Sequence, residues 1–274
     1  MDTLKTIQLK ARHQVYTLLS GHNLSKLYGE GYDFAELREY QMGDDIRKIN
    51  WTISAKLGKP YVKVLHSNRE LSVVVATFMD GGVYFGTGNT KQRQMTHIAT
   101  LLGYSAQQSN DLFTGISYTP QHIYTTPPTK QIFHIEQFSH NLYHASLLHT
   151  TLNTKNALQN LFTRLYKRSL VFIMSDFLEE MDLSLLAQKH EVIAVIVRDK
   201  NEEAPKKLGE ATLLDPRADH TMHTYFGKKS QAMYLAKRQV HDDTLIEHFT
   251  RHDIRWVKIF SDEDPLKKLV QLLN

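Results

Sequence analysis

The sequence predicts a doubly wound α/β fold with a mainly parallel sheet, preceded by an N-terminal helix and a loop-rich segment. The first observation is a set of short, mostly apolar runs rich in β-branched residues, at 71–78, 170–174 and 192–197, with a last strand at 256–260. Such runs are typical of strands that are covered on both faces, as in parallel sheets. The second observation is that helical patterns separate these runs, so strands and helices alternate along the chain.

The remaining elements follow from local spacing. The first helix, at 4–19, places Ile7, Ala11, Val15 and Leu18 on one face. Further helices are predicted at 91–108, 135–149, 154–166, 233–252 and 265–273, and further strands at 61–66 and 111–118. The proline-flanked residues 121–130 are predicted to form a loop or an edge strand. In such a fold we expect ligand sites at the carboxyl ends of the parallel strands.

Length and composition are typical of one large domain with a smaller N-terminal part. The chain has 274 residues, of which 41% are hydrophobic and 23% charged. We place the boundary within 66–70, so that residues 1–68 hold the N-terminal helix and the loop-rich segment, packed on a main domain of residues 69–274. No apolar run approaches the roughly 18 residues that span a bilayer. Residues 1–10 are polar and cysteine is absent, so we expect a cytoplasmic protein without direct membrane insertion.

The charge balance gives little support to a nucleic-acid partner. The formal net charge is +4, from 33 basic and 29 acidic residues, which a mixed solvated surface explains. A nucleic-acid face would need lysine and arginine clustered on one element, and only residues 228–229 and 237–238 approach this. Residues 86–91, Gly-Thr-Gly-Asn-Thr-Lys, lie between a strand and a helix but lack the spacing of a phosphate-binding loop.

The densest motif lies within residues 29–55. It combines basic, acidic and aromatic side chains in a short stretch: Arg38, Tyr40, Asp44, Asp45, Arg47 and Trp51. Arginine next to carboxylate favours bidentate ion pairs that fix geometry. Because arginine lowers the pKa of a neighbouring carboxylate, structural ion pairs are expected here rather than acid–base catalysts. Tyr40 and Trp51 would then pack the segment against the sheet, or contribute with the arginines to a partner interface.

The same motif carries a family resemblance. In order, the segment has Gly29, Gly31, Phe34, Leu37, Arg38, Tyr40, Gly43, Asp44, Asp45, Arg47, Ile49, Trp51, Ser54 and Ala55. This order resembles the signature of the bacterial family called domain of unknown function 58, with Asn50 where the pattern usually has aspartate. The resemblance implies a von Willebrand factor A-like fold with Rossmann-type layering. It also implies a protein partner, a MoxR-type AAA+ ATPase, with which such proteins are thought to act as adaptors in protein assembly or maturation.

A metal-ion-dependent adhesion site is the second implication of the resemblance. Such sites bind a divalent cation through an Asp-x-Ser-x-Ser loop, a threonine and a later aspartate, all of them oxygen ligands that suit Mg²⁺. The corresponding candidates here are Asp80, Thr154 and Asp176. One alignment of this loop puts Phe78, Asp80 and Gly82 at the positions of Asp, Ser and Ser, and a shifted alignment puts Asp80, Gly82 and Tyr84 there. Both serines are missing in either alignment. We therefore expect a degenerate site without a cofactor, at which Mg²⁺ is the candidate ion.

Taken together, the sequence predicts a non-enzymatic interaction or adaptor protein. Its expected contact surfaces are the segment from Arg38 to Trp51 and the strand-end edge around Asp80, Thr154 and Asp176. Two alternatives stay open. A metal-assisted hydrolase using Asp80 and Asp176 would bind a stoichiometric Mg²⁺ or Mn²⁺ with an open coordination position. A weak nucleic-acid binder would show steeply salt-dependent binding of DNA or RNA.

Overall fold

A computed structural model of the protein describes residues 3–20, 34–42, 44, 46, 49–65, 71–86, 88–206 and 208–273. The strands are β1 Phe34–Glu39, β2 Tyr61–Leu65, β3 Ser72–Phe78, β4 Leu112–Tyr118, β5 Ile123–Thr125, β6 Leu170–Ser175, β7 Glu191–Arg198, β8 Gly209–Asp215, β9 His220–Phe226 and β10 Arg255–Phe260. The helices are α1 Leu4–Ser20, α2 Trp51–Leu57, α3 Lys91–Gln108, α4 Ile132–His144, α5 Thr154–Arg164, α6 Ser184–Lys189, α7 Lys200–Glu203, α8 Lys228–Arg251 and α9 Pro265–Leu273. A 3₁₀ turn spans Gly81–Tyr84.

The central sheet has the strand order β10-β7-β6-β3-β4-β5. Neighbouring strands pair in parallel, except that β5 is antiparallel to β4 and forms one edge. The chain begins this sheet with β3, adds β4 on one side, and then crosses to add β6 on the other. The strand order therefore reverses at β3, and in open α/β sheets the ligand crevice lies at such a switch point. The predicted doubly wound, mainly parallel fold is confirmed.

Both faces of the sheet are covered, which explains the continuous apolar runs. Along β3, Val73 and Val75 belong to one core cluster and Val74 and Ala76 to the other. The first cluster takes side chains from α1, α3, α4 and α9. The second takes side chains from α5, α6 and α8. Since successive residues of a strand point to opposite faces, a strand buried between two helical layers must be apolar throughout.

The N-terminal part contains more regular structure than the sequence predicted. The segment expected to be loop-rich includes β1, which pairs antiparallel with β2, and the short helix α2. The side chain of Asn50 caps α2 by accepting the Ile53 N–H at 3.3 Å, and Gly58 ends it with a φ of 73°. Such a left-handed C-terminal residue favours glycine. The predicted boundary, at 66–70, lies outside the described residues.

The largest departure from the prediction is the hairpin β8–β9, a separate two-stranded antiparallel sheet. Its side chains are exposed or half-buried along both strands. A strand without a buried face lacks the apolar alternation on which strand prediction depends, so neither strand was predicted. The helix predicted at 135–149 is also shorter and earlier, at Ile132–His144.

Among the described residues, none of the helices combines the length and the hydropathy needed to cross a bilayer.

Candidate functional site

The predicted metal ligands meet at the carboxyl edge of the sheet. Asp80 follows β3 and Asp176 follows β6, and these strands are parallel neighbours. Thr154, the first residue of α5, lines the same small cavity as both aspartates. The position of these residues follows from the topology, because parallel strands end at the same edge.

Each aspartate is held by backbone groups. An oxygen of Asp80, Oδ1, accepts the Gly82 N–H at 2.9 Å and so caps the 3₁₀ turn. The corresponding oxygen of Asp176 accepts the Leu178 N–H at 3.2 Å. Both side chains are buried, with 8% and 6% of their surface exposed. The two carboxylates therefore face the cavity in fixed orientations.

An arginine from the β8–β9 hairpin lies between these carboxylates. Arg217 belongs to the turn of the hairpin, and its Nε lies 3.0 Å from Oδ1 of Asp80. Its Nη2 lies 3.3 Å from Oδ2 of Asp176. Its Nη1 lies 3.7 Å from Oε1 of Glu179. One guanidinium thus joins three acidic side chains at the switch point of the sheet.

A buried lysine approaches Asp176 from the interior. Lys91, the first residue of α3, is fully buried. Its ammonium lies 3.0 Å from Oδ2 of Asp176 and 2.6 Å from Oε1 of Glu202. Glu202, on α7, also accepts the Asp199 N–H at 3.0 Å. Since Lys91 pairs with two buried carboxylates, it does not serve as the lysine of a phosphate-binding loop at residues 86–91.

The two cations keep Asp176 ionised. Burial acts to raise the pKa of Asp176, but the charges of Lys91 and Arg217, with hydrogen bonds from Lys91 and Leu178, outweigh it and hold that pKa below its ordinary value. Burial likewise acts to lower the pKa of Arg217, and the neighbouring Asp176, Asp80 and Glu179 carboxylates raise it above the ordinary value. Asp176 and Arg217 thus each favour the charged form of the other.

This donor set does not fit a divalent cation. Magnesium needs several oxygen ligands around it and gives up its waters reluctantly. Here both aspartates already pair with cationic side chains, and the cavity between them measures about 10 Å³, about the volume that holds one water molecule. Within the described parts of the chain, no group of three or more histidine, aspartate and glutamate side chains is arranged to bind a metal.

The predicted partner-binding residues fall partly within the described structure. Arg38 forms a bidentate pair with Asp44, from Nη1 to Oδ2 at 2.9 Å and from Nη2 to Oδ1 at 2.7 Å. Tyr40 is half-buried, and its N–H donates to the Pro60 carbonyl at 2.8 Å. Trp51 is 66% exposed, so the expectation that it packs the segment against the sheet was wrong. Two further residues of this group lie outside the described residues: Asp45 and Arg47.

Sequence reasoning missed Arg217, Lys91 and Glu202. The turn at 215–219, Asp-Pro-Arg-Ala-Asp, has the composition of a turn, and this is the one local signal for the hairpin. The contact of Arg217 with Asp80 spans 137 positions in sequence. No local pattern predicts a pairing at that separation.

Comparison with known proteins gives relatives without an assigned activity. Uncharacterized proteins of Mycobacterium tuberculosis (strain ATCC 25618 / H37Rv) and Mycobacterium bovis (strain ATCC BAA-935 / AF2122/97) are each 24% identical over 222 residues, which cover 77% of this chain and 69% of the relative.

Two solved structures are also similar. The conserved hypothetical protein BatB from Bacteroides thetaiotaomicron has a TM-score of 0.46 and 11% identity, covering 74% of this chain and 97% of that one. An aerotolerance-related membrane protein from Bacteroides fragilis NCTC 9343 has a TM-score of 0.47 and 12% identity, covering 74% of this chain and 98% of that one.

The family model described as protein of unknown function DUF58 matches residues 36–243, well over half of the chain and including most of the motif that carried the resemblance. The chain belongs to that family.

Proposed function

We propose that this protein is a non-enzymatic adaptor that binds a partner protein through the segment from Arg38 to Trp51. We further propose that the partner is a MoxR-type AAA+ ATPase and that the pair works in protein assembly or maturation. The observation that carries the proposal is the exposure of Trp51, at 66%, within the family motif. Tryptophan and arginine are the residue types that most often dominate binding energy at protein interfaces.

The surroundings of Trp51 support a preorganised contact surface. Trp51 begins α2, and Asn50 caps this helix. Nearby, the bidentate Arg38–Asp44 pair is reinforced by the Gln41 N–H, which donates to Asp44 at 2.9 Å. A side chain presented from a fixed backbone loses less conformational freedom on binding, which favours affinity.

Further exposed apolar side chains lie in the same segment. Met42 and Ile46 are both exposed, and they flank Asp44 in the sequence before α2. Together with Trp51 they would give a partner an apolar contact with charged groups at its side, which is the usual composition of a binding surface.

The strand-end acids favour an adaptor over the hydrolase alternative. A general base or metal ligand needs a carboxylate that is free to accept a proton or an ion. Asp80 and Asp176 instead pair with Arg217, and Asp176 pairs with Lys91 as well.

The nucleic-acid alternative gains nothing from the basic pair at 237–238, because Arg238 pairs with Glu203 at 2.6 Å.

The test is an affinity measurement with the full chain and the purified MoxR-type ATPase of the same organism. Trp51→Ala should weaken binding by about tenfold or more, which corresponds to about 1.4 kcal/mol. The matched control is Tyr166→Ala, because Tyr166 is an aromatic residue with 85% exposure outside this segment. That control should bind as the wild type does.

Both variants should unfold at the wild-type denaturant concentration, because neither side chain is buried. Equal affinity of Trp51→Ala and wild type would contradict the proposal. So would an equal loss in the Tyr166→Ala control.

A further inference from the structure

We propose that the strand-end edge is a guanidinium-binding site, with Arg217 as its resident ligand in the position where the fold would hold a divalent cation. The turn of the β8–β9 hairpin then places this ligand at the edge. The inference is independent of the Trp51 surface. It assigns a ligand class to the site formed by Asp80, Asp176 and Glu179.

The first argument is the match between the acids and the guanidinium. Each nitrogen of Arg217 has its own acidic neighbour: Nε has Asp80 at 3.0 Å, Nη2 has Asp176 at 3.3 Å, and Nη1 has Glu179 at 3.7 Å. A planar group with donors on three sides suits this arrangement, whereas a lysine ammonium is a single point of charge.

The second argument is that the two acceptor carboxylates are oriented by contacts outside the hairpin. Asp80 and Asp176 are oriented by the N–H groups of Gly82 and Leu178, at 2.9 and 3.2 Å, and these contacts do not involve the hairpin. Lys91 neutralises part of the charge from within. The site thus keeps its acceptors in place when Arg217 leaves, which is what a binding site requires.

The third argument is the close approach of the hairpin tip to two glycines. A Cβ atom at Gly82 would stand 3.1 Å from both Nε and Nη2 of Arg217, and one at Gly81 would stand 1.9 Å from the Pro216 carbonyl oxygen. That carbonyl also accepts the His149 N–H at 2.9 Å. Gly81 and Gly82 therefore leave the room in which the hairpin tip and the Arg217 guanidinium lie.

The external ligand that fits this site is an arginine side chain of a partner segment. Such a ligand must displace Arg217, which is 22% exposed and sits at the tip of a hairpin that is largely exposed. Removing the arginine from the tip should leave a vacant site that accepts a small guanidinium.

The experiment is chemical rescue of Arg217→Ala in the full chain. N-ethylguanidinium is titrated at millimolar concentrations while the melting temperature is recorded, with ethylammonium as the matched cation. We expect a saturable rise of several degrees for the variant with N-ethylguanidinium, and little change with ethylammonium. The control variant is Arg251→Ala, which removes an exposed arginine paired with Glu247 and should show no rescue. Absence of a saturable rise in Arg217→Ala would overturn the proposal, as would an equal rise in the control.

Two further measurements test whether the site prefers a guanidinium to a metal ion and whether Arg217 is held there. Mg²⁺ and Mn²⁺ at millimolar concentrations should leave the wild-type melting temperature unchanged, and a saturable metal-dependent rise that Asp176→Asn abolishes would overturn the proposal. If Arg217→Ala does not fold, Arg217→Lys supplies the test. In that case the wild type should show a slowly exchanging arginine Nε–H signal by NMR that Arg217→Lys lacks, besides the signal of the buried Arg198, which both proteins retain. Absence of the Arg217 signal from the wild type would overturn the proposal. Failure of rescue with retained Trp51-dependent binding would refute this inference alone.

Discussion

Replacing Lys91 by methionine tests the buried charge network most directly. The change Lys91→Met keeps a long unbranched side chain and removes the ammonium that lies 2.6 Å from Glu202 and 3.0 Å from Asp176. Lys91 is fully buried, and the two carboxylate side chains are 10% and 6% exposed. Removing one partner of a buried ion pair leaves uncompensated charge and costs about 3–5 kcal/mol. Since a domain is typically stable by about 5–15 kcal/mol, the variant should lose a large part of its stability.

The assay is urea unfolding at neutral pH, with Lys200→Met as the matched control. Lys200 pairs with Asp262 at 2.7 Å, but its side chain is 60% exposed, and exposed pairs contribute about 0–1 kcal/mol. The double variant Lys91→Met with Glu202→Gln should recover part of the loss, because it removes the Glu202 charge that Lys91 compensates, while Asp176 keeps its pair with Arg217. If Lys91→Met unfolds within about 1 kcal/mol of the wild type, the ammonium is not compensating buried charge and the reasoning fails.

Three more predictions follow from the same structure. Burial lowers the pKa of His248 below its ordinary value, and its Nε2 accepts the Leu183 N–H at 3.1 Å. His248 therefore binds a proton more tightly in the unfolded chain than in the folded one. The stability that neutral His248 contributes is present above about pH 6.5 and is lost as the pH falls through the pKa of the folded state. Melting temperature against pH should fall more gently on the acid side in His248→Gln, and an unchanged slope would refute the assignment. Gly115→Ala should cost about 1–3 kcal/mol in urea unfolding by overpacking, because its Cβ would stand 2.6 Å from the Phe138 ring; a loss close to zero would mean that the ring moves freely. Gly81→Ala should push away the hairpin tip and speed proteolysis within β8–β9, whereas unchanged cleavage would show that the tip does not dock there.

The buried elements were predictable because burial determines which of their positions are apolar. Helix α3 occupies Lys91–Gln108, the span that the spacing predicted. Strands β3, β6 and β7 lie where the apolar runs indicated. In these segments the sequence alone carries the information, because burial on one helix face or on both sheet faces dictates which positions are apolar.

The candidate site was only partly predictable, for a physical reason. Asp80 and Asp176 were placed correctly because strand ends converge in any parallel sheet. The identity of the cation between them was not predictable, since Arg217 arrives on a hairpin that has no fully buried face. For Trp51, packing against the sheet and a partner interface both stayed open for a related reason. An aromatic residue in a sequence looks the same whether it anchors a core or faces a partner.

The two cations at Asp176 have different roles in the strand-end site. Lys91 is fully buried at the start of a long core helix, so it belongs to the frame that keeps the carboxylates in place. Arg217 reaches the same oxygen, Oδ2, from an exposed hairpin. Departure of Arg217 costs the contacts of one hairpin tip, whereas departure of Lys91 would require the core to open. Under the proposed exchange, Lys91 would stay in place and keep the shape of the site while a partner's arginine replaces Arg217. Such an exchange would need recognition of a charged group and no chemistry on it, which agrees with the proposed adaptor function.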